Sequence, residues 1–521
     1  MKNPRVFLLI PPLAQPLAYQ VRGGNPLPLG NRAHEHLSED KKVTDKTQTT
    51  ILIEIGEEAD LWHTPDGQTF ATVEIAGVHQ NLAVDSPAFS QWLSRRLWEE
   101  IKKAPSSTKL TEVVRVLQAE ALYDGGEHQV HIRVARHGDT IYLDLGGSDW
   151  TVIGISPVCW RPVINPPVRF CRSSGMLALP FPQSGGSVGD LRSLINVRDE
   201  DAFILTVAWL IGALNPAGPY PVALIQGEQG SAKSTLARTL KALIDPATPA
   251  LMTRPKNEQD FVIAGSHARI LAFDNLSSIP SWLSDAFCRM ATGAGFKARK
   301  LYTDKEEVRF DICRPQILNG IEDLATRDDL RDRGILFELP VIPSSRRITE
   351  KIHREQLEKA HPKILGALLD AVATALANES DAQPIQVPRM ADFAIWVSAA
   401  EPALPWPPGE ILRAYERNRA DAITIVLDND PVASAIIKMA EKYCSWRGTA
   451  TALYTKLTPN GGYSSRAGWP LTVSAFSQRL RRLAAALRHV GVDVTWERES
   501  DHKRTRKIRV RAVRAVQGEE S

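Results

Sequence analysis

The spacing of apolar residues along the chain changes at Ile51. Up to about Thr50, Pro, Gly and polar residues mix, with the run His34-Glu-His-Leu-Ser-Glu-Asp-Lys-Lys42, and residues 1–50 read as a flexible tail. Beyond it, Glu58–His63 and Phe70–Ile75 flank the turn Thr64-Pro-Asp-Gly67 and predict a hairpin. Helical spacing runs from Pro87 to Ala104, behind the capping residues Asp85 and Ser86, and again from Ser107 to Tyr123, where Gly125-Gly126 ends it. Strands are expected at Val130–Ala135 and Thr140–Leu145, then a Trp- and Pro-rich stretch through Pro182. Residues 51–183 therefore read as a small α+β domain, and Ser184-Gly-Gly-Ser-Val-Gly189 as a linker.

A helix from Asp199 to Leu214 is stopped by Asn215-Pro216 and leads to the apolar run Pro221-Val-Ala-Leu-Ile-Gln226. That run has strand length and breaks into Gly227-Glu228-Gln229-Gly230-Ser231-Ala232-Lys233-Ser234-Thr235, after which Leu236, Leu240 and Leu243 recur at helical spacing. Strand, glycine turn, Lys-Ser-Thr and helix in this order make a phosphate-binding loop. Backbone N–H groups and the helix N-terminus close on phosphate oxygens, and Lys233 adds a full charge. Ser234 is placed to ligate Mg²⁺. Ala232 departs from the glycine usual at that position.

Arg269-Ile-Leu-Ala-Phe-Asp274-Asn275 predicts a buried strand that delivers Asp274 to its C-terminal end, where it would hold Mg²⁺ through water. Asn275 follows, where hydrolytic members of this class place a glutamate; an amide orients water but cannot take its proton. Glu258 and Asp260 are the alternative bases. An amphipathic helix Ser281–Thr292 precedes a glycine turn, a basic cluster of Lys297, Arg299 and Lys300, and an alternating strand, a hairpin suited to tracking a nucleic-acid backbone.

The order of motifs from about Ser193 to Pro340 resembles the AAA+ ATPase core of superfamily-3 helicases and of the helicase halves of phage and plasmid primase-helicases. The resemblance implies that the 297–302 hairpin projects into the channel of a hexamer. It makes Asn319, ending Gln316-Ile-Leu-Asn319, a sensor of the γ-phosphate or attacking water. It makes Arg333, or failing that Arg331, the finger that reaches a neighbouring subunit's nucleotide. Residues 190–345 are then the AAA+ core and 346–428 a helical lid. The lid has helices at Thr349–Ala360 and Lys363–Asn378, separated by His361-Pro362, and Arg389 is a candidate second sensor.

From Asp430, helices are expected to Trp446, over Thr449–Leu457 and over Ser474–His489, then strands Val492–Glu497 and Lys507–Val513. Residues 429–521 in that order look like a winged helix. Charge sharpens this reading. The net charge of the 521-residue chain is only +3, yet 12 basic residues crowd 470–514 against Asp493, Glu497, Glu499 and Asp501, which favours a polyanion. Arg479, Arg482, Lys503, Arg504 and Arg506 are the candidate DNA contacts. Five scattered cysteines without metal-ligand spacing, and no apolar run of membrane-spanning length, point to a cytoplasmic protein.

The sequence thus predicts an α/β fold, a P-loop AAA+ core with a parallel sheet, between an α+β domain and a lid with a winged helix. The expected function is an ATP- and Mg²⁺-dependent DNA helicase or translocase in replication of a phage, plasmid or integrated mobile element. Its expected form is a homo-oligomer, a hexamer, with single-stranded DNA in the channel, duplex at the winged helix and primase activity on a separate chain. The alternative is a DNA-binding ATP switch, an initiator or regulator with slow hydrolysis, which Asn275 favours.

Overall fold

The computed structural model describes residues 46–293, 295–299, 307–310, 312–320, 328–382, 388–458, 468–498 and 506–513. At its centre four parallel strands lie in the spatial order Leu271–Phe273, Gln316–Asn319, Val222–Gly227, Gly334–Leu339. These are near-continuous apolar runs, as expected of strands covered on both faces. Their alternate residues feed two cores. Ala223, Ile225, Ile317, Ile335 and Phe337 join one cluster with helices Glu200–Leu214 and Lys233–Ile244. Val222, Leu224, Leu318 and Leu336 join another with Phe261, Phe287 and Met290, from helices Glu258–His267 and Ser281–Thr292. Every residue from Phe203 to Leu214 is buried, so that helix is apolar all round rather than striped.

The amino-terminal part divides at Arg133. The run 130–135, expected as one strand, is two: Val130–His131 pairs with Arg169–Phe170, and Val134–His137 starts a four-stranded antiparallel sheet with Thr140–Asp144, Val152–Ile155 and Trp160–Val163. Between them Arg133 adopts a left-handed φ of 64° and is fully buried. Its guanidinium donates to Leu177 O at 2.8 Å and Asp144 O at 3.2 Å and pairs with Asp245 at 3.3 Å. The sheet's inner residues Ile141, Leu143, Ile153 and Ile155 enter the same core as the helix Glu200–Leu214. Residues 48–127 keep a core of their own. A helix Gln48–Glu57, capped by Thr47, begins inside the stretch expected as tail and ends ahead of the hairpin, whose strands Asp60–His63 and Thr69–Ile75 do pair. A third strand, Val78–Ala83, follows a tight turn with Ala76 and Gly77 at φ 53° and 81°.

Three further expectations are corrected. The helices expected on either side of His361-Pro362 are one, Glu350–Asn378, with Pro362 inside it. A proline there costs about 3 kcal/mol in an isolated helix; tertiary packing offsets it. Gln183 N donates to Pro362 O at 2.8 Å. Backbone meets backbone here, since a Cβ on Gly186 would run into Lys363 O and one on Gly366 into Gln183 O. The glycine stretch 184–189, read as a linker, is therefore packed at Gly186 and Val188. The helix expected to reach Trp446 stops at Tyr443: Cys444 turns to φ 54°, and Ser445–Gly448 becomes an edge strand on Arg506–Ala512.

The carboxy-terminal part thus holds helices Pro431–Tyr443, Ala450–Leu457 and Val473–His489 and a three-stranded antiparallel sheet completed by Val492–Arg498. The helix Glu410–Asn429 ties it to the rest. Ile411 and Tyr415 lie in the central core, Ile423 and Leu427 in the carboxy-terminal one. Among the described residues no helix is long and apolar enough to cross a membrane.

Candidate functional site

The strand Val222–Gly227 ends in a loop whose backbone only small residues tolerate. Gly230 has φ 86°, and Ala232 takes φ 66°, the left-handed conformation that glycine would adopt without cost. A methyl side chain there costs on the order of 1 kcal/mol, so the loop accommodates the departure from glycine. Helix Lys233–Ile244 then starts with no side-chain cap, which leaves its first N–H groups directed into the loop. Lys233 Nζ folds back across the loop, donating to Gly227 O at 2.7 Å and Glu228 O at 2.9 Å.

Three strand ends converge on this loop. Ser234 Oγ donates to Asp274 Oδ1 at 3.0 Å. Buried Asn319, at the end of the neighbouring strand, accepts from Asn275 N at 3.0 Å through Oδ1 and directs Nδ2 toward Ser234 Oγ at 3.5 Å. Asn275 itself has φ 56° and an exposed side chain. Lys233, Ser234, Asp274, Asn275 and Asn319 are thus brought together at the C-terminal edge of the sheet, where ligands of open parallel sheets gather. A hydroxyl and a carboxylate side by side are hard oxygen donors suited to Mg²⁺, which takes one or two protein oxygens beside phosphate and water. Glu258 is committed elsewhere, paired with Arg289 at 2.9 Å.

The remaining arginines lie at the other edge. Val222 pairs with Gly334 and Gly227 with Leu339, so Arg331 and Arg333 precede the strand whose far end flanks the loop. The strand's length puts them roughly 17 Å from their own loop. Arg331 is buried, whereas Arg333 is partly exposed and donates to Asp329 O at 3.0 Å. Arg389 is not brought to the loop either: it pairs with Asp332 at 3.1 Å. Two residues that the sequence did not single out do reach the loop. Asn196 donates to Ser231 O at 3.0 Å and Pro340 O at 2.7 Å, and a Cβ on Gly230 would meet Arg347 Nη2 at 3.0 Å. Neither carries a local signal, since 35 and 117 residues separate them from their contacts.

Of the basic residues, Lys297 and Arg299 fall on the strand Phe296–Arg299, antiparallel to Glu307–Phe310. Lys300, Lys503 and Arg504 lie outside the described residues. Arg482 is exposed on the helix Val473–His489, and Arg506 opens the last strand. Arg479, half-buried, pairs with Asp430 and donates to Gly468 O, both at 2.7 Å, so it fastens two elements.

Comparison with known proteins now adds to this geometry. Residues 188–416 match the family described as the actinomycete integrative conjugative element replication protein, and residues 432–519 the AICE RepA C-terminal domain. No curated protein matches the sequence. Among solved structures, the apo C-terminal region of NrS-1 aligns over 89% of this chain and 99% of its own, at 13% identity and a TM-score of 0.38. A second structure of that region aligns over 89% and 98%, at 12% identity and 0.37. The two family matches together span more than half of the chain, which therefore carries the RepA domains of actinomycete integrative conjugative elements and is a replication protein of a mobile element.

Proposed function

We propose that this replication protein is a DNA-dependent ATPase of the P-loop AAA+ class that works as a helicase or translocase during replication of its element. The observation that carries the reading is the convergence of Lys233, Ser234, Asp274 and Asn319 on one glycine loop at the C-terminal edge of a parallel sheet. In this reading the loop N–H groups and Lys233 hold the phosphates of ATP. Ser234 and Asp274 hold the Mg²⁺ that offsets phosphate charge, and Asn319 orients the γ-phosphate or the attacking water. A cleft of about 720 Å³ beside the loop, lined by Gln226, Gln229, Leu339 and Ile425, has room for the nucleoside. Arg333, too far from its own loop, serves the loop of a neighbouring copy in a hexamer. Single-stranded DNA follows the 297–302 hairpin. Residues 431–512, in the element order of a winged helix, meet duplex through Arg482 and Arg506, and primase activity comes from a separate chain.

The test is steady-state ATP hydrolysis with and without single-stranded DNA, run beside Lys233→Ala and Arg333→Ala. DNA should stimulate the wild type many-fold, both variants should be inactive, and mixing them should restore part of the activity. Normal hydrolysis by Arg333→Ala alone would remove the finger assignment. Asn275 favours a second reading, a slow ATP switch that sets assembly on an origin: its amide cannot accept the water's proton. A switch would show little stimulation by DNA and tight binding to one duplex site.

A further inference from the structure

Arg347 stands over the middle of the loop and is held there by backbone alone. Its Nε donates to Ile342 O at 3.1 Å, and Ile342 N donates to Gly230 O at 3.4 Å. The strap 340–347 is clamped from its other end by Asn196, which bridges Ser231 O and Pro340 O. At its exit Arg238 on the loop helix pairs at the surface with Glu350, at 3.5 Å, in the first turn of the next helix. Gly230, with φ 86°, carries no side chain that could separate the guanidinium from the loop.

Its charge is also uncommitted. The exposed arginines Arg192 and Arg198 each sit against carboxylates, at 2.6 Å from Glu200 and 2.7 Å from Asp199. Among the described residues no carboxylate lies within ion-pair distance of Arg347; the one hydrogen bond of its guanidinium uses Nε and leaves both terminal nitrogens to donate. A cation beside the uncapped start of a helix adds to the field that the helix N–H groups already make for an anion. The planar guanidinium suits two phosphate oxygens at once.

We propose that Arg347 is a phosphate-binding residue acting within its own chain, reaching the terminal phosphates of the bound nucleoside triphosphate. This rests on the reading of residues 227–235 as the nucleotide loop. It leaves Arg333 for the neighbouring copy.

The test is titration of the full chain, with Mg²⁺, by fluorescent analogues of ATP and ADP. Wild type, Arg347→Ala, Arg347→Lys and Lys233→Ala are compared. Arg347→Ala should bind the triphosphate about tenfold or more weakly, keep its diphosphate affinity within about twofold, and melt unchanged without nucleotide; Arg347→Lys should fall between. Equal loss for both nucleotides, or no loss, in a background where Lys233→Ala binds far more weakly than the wild type, overturns the assignment of Arg347. Wild type and Lys233→Ala binding alike would instead refute the nucleotide loop, and the proposal with it.

Discussion

The helix Lys233–Ile244 ends in two polar clusters that differ in kind. At its start Lys233 and Ser234 are half-buried, and the lysine has only backbone carbonyls as partners. At its finish everything is sealed. Asp245 accepts from Lys241 at 3.1 Å and from Arg133 at 3.3 Å, and its Oδ2 also takes the N–H groups of Arg269 and Ile270, each at 3.0 Å. Burial opposes ionisation of Asp245, but Lys241, Arg133 and the backbone donors outweigh it and hold its carboxyl below the usual range. The neighbouring Leu243 O is met by His361 Nε2 at 3.1 Å. Similar residue types serve fastening at one end, where every group is satisfied, and exchange at the other, where donors are left for something else.

That contrast breaks most readily at the sealed end. Asp245→Asn leaves two buried cations without their counter-charge and should lower stability by about 3–5 kcal/mol in denaturant melts; a loss under 1 kcal/mol would mean the cluster is not closed. Next comes pH. Burial pushes the His361 imidazole down to about 4, below its unfolded value near 6.5. The unfolded chain therefore takes up the proton first, and the stability carried by neutral His361, complete above about pH 6.5, is lost as pH falls toward 4. Between pH 7 and pH 5 this removes roughly 2 kcal/mol from the wild type, and His361→Gln should lack that slope. The open end should respond in the opposite way. Lys233→Ala should weaken triphosphate binding about a hundredfold while leaving the nucleotide-free melting temperature within a degree or two, because no buried partner is orphaned. A large drop in that temperature would erase the distinction between the two ends.

What could be read from the sequence follows the range of the physics involved. The apolar run Val222 to Ile225, the glycine turn and the stripe Leu236, Leu240, Leu243 are local, and the elements stand where those patterns put them. The pairing of Ser234 with Asp274 was legible because two short motifs each point a strand end at the same sheet edge. Failures came where distant contacts overrule local preference. Pro362 continues a helix because residues 183–186 pack against it, and Arg133 breaks a strand because Asp245, 112 residues away, holds its guanidinium. Arg479 looked like one more cation on a basic face, and nothing local showed that Asp430, 49 residues away, engages its guanidinium. Nothing near Arg347 in the sequence distinguishes it from Arg346.

The antiparallel strands between Val134 and Val163 also bear on how the gene could be dissected. Because Ile141, Leu143, Ile153 and Ile155 share one interior with the helix Glu200–Leu214, a fragment started at the glycines near 185 would expose a greasy wall and should precipitate on expression. One started just ahead of Val130 would keep that wall covered.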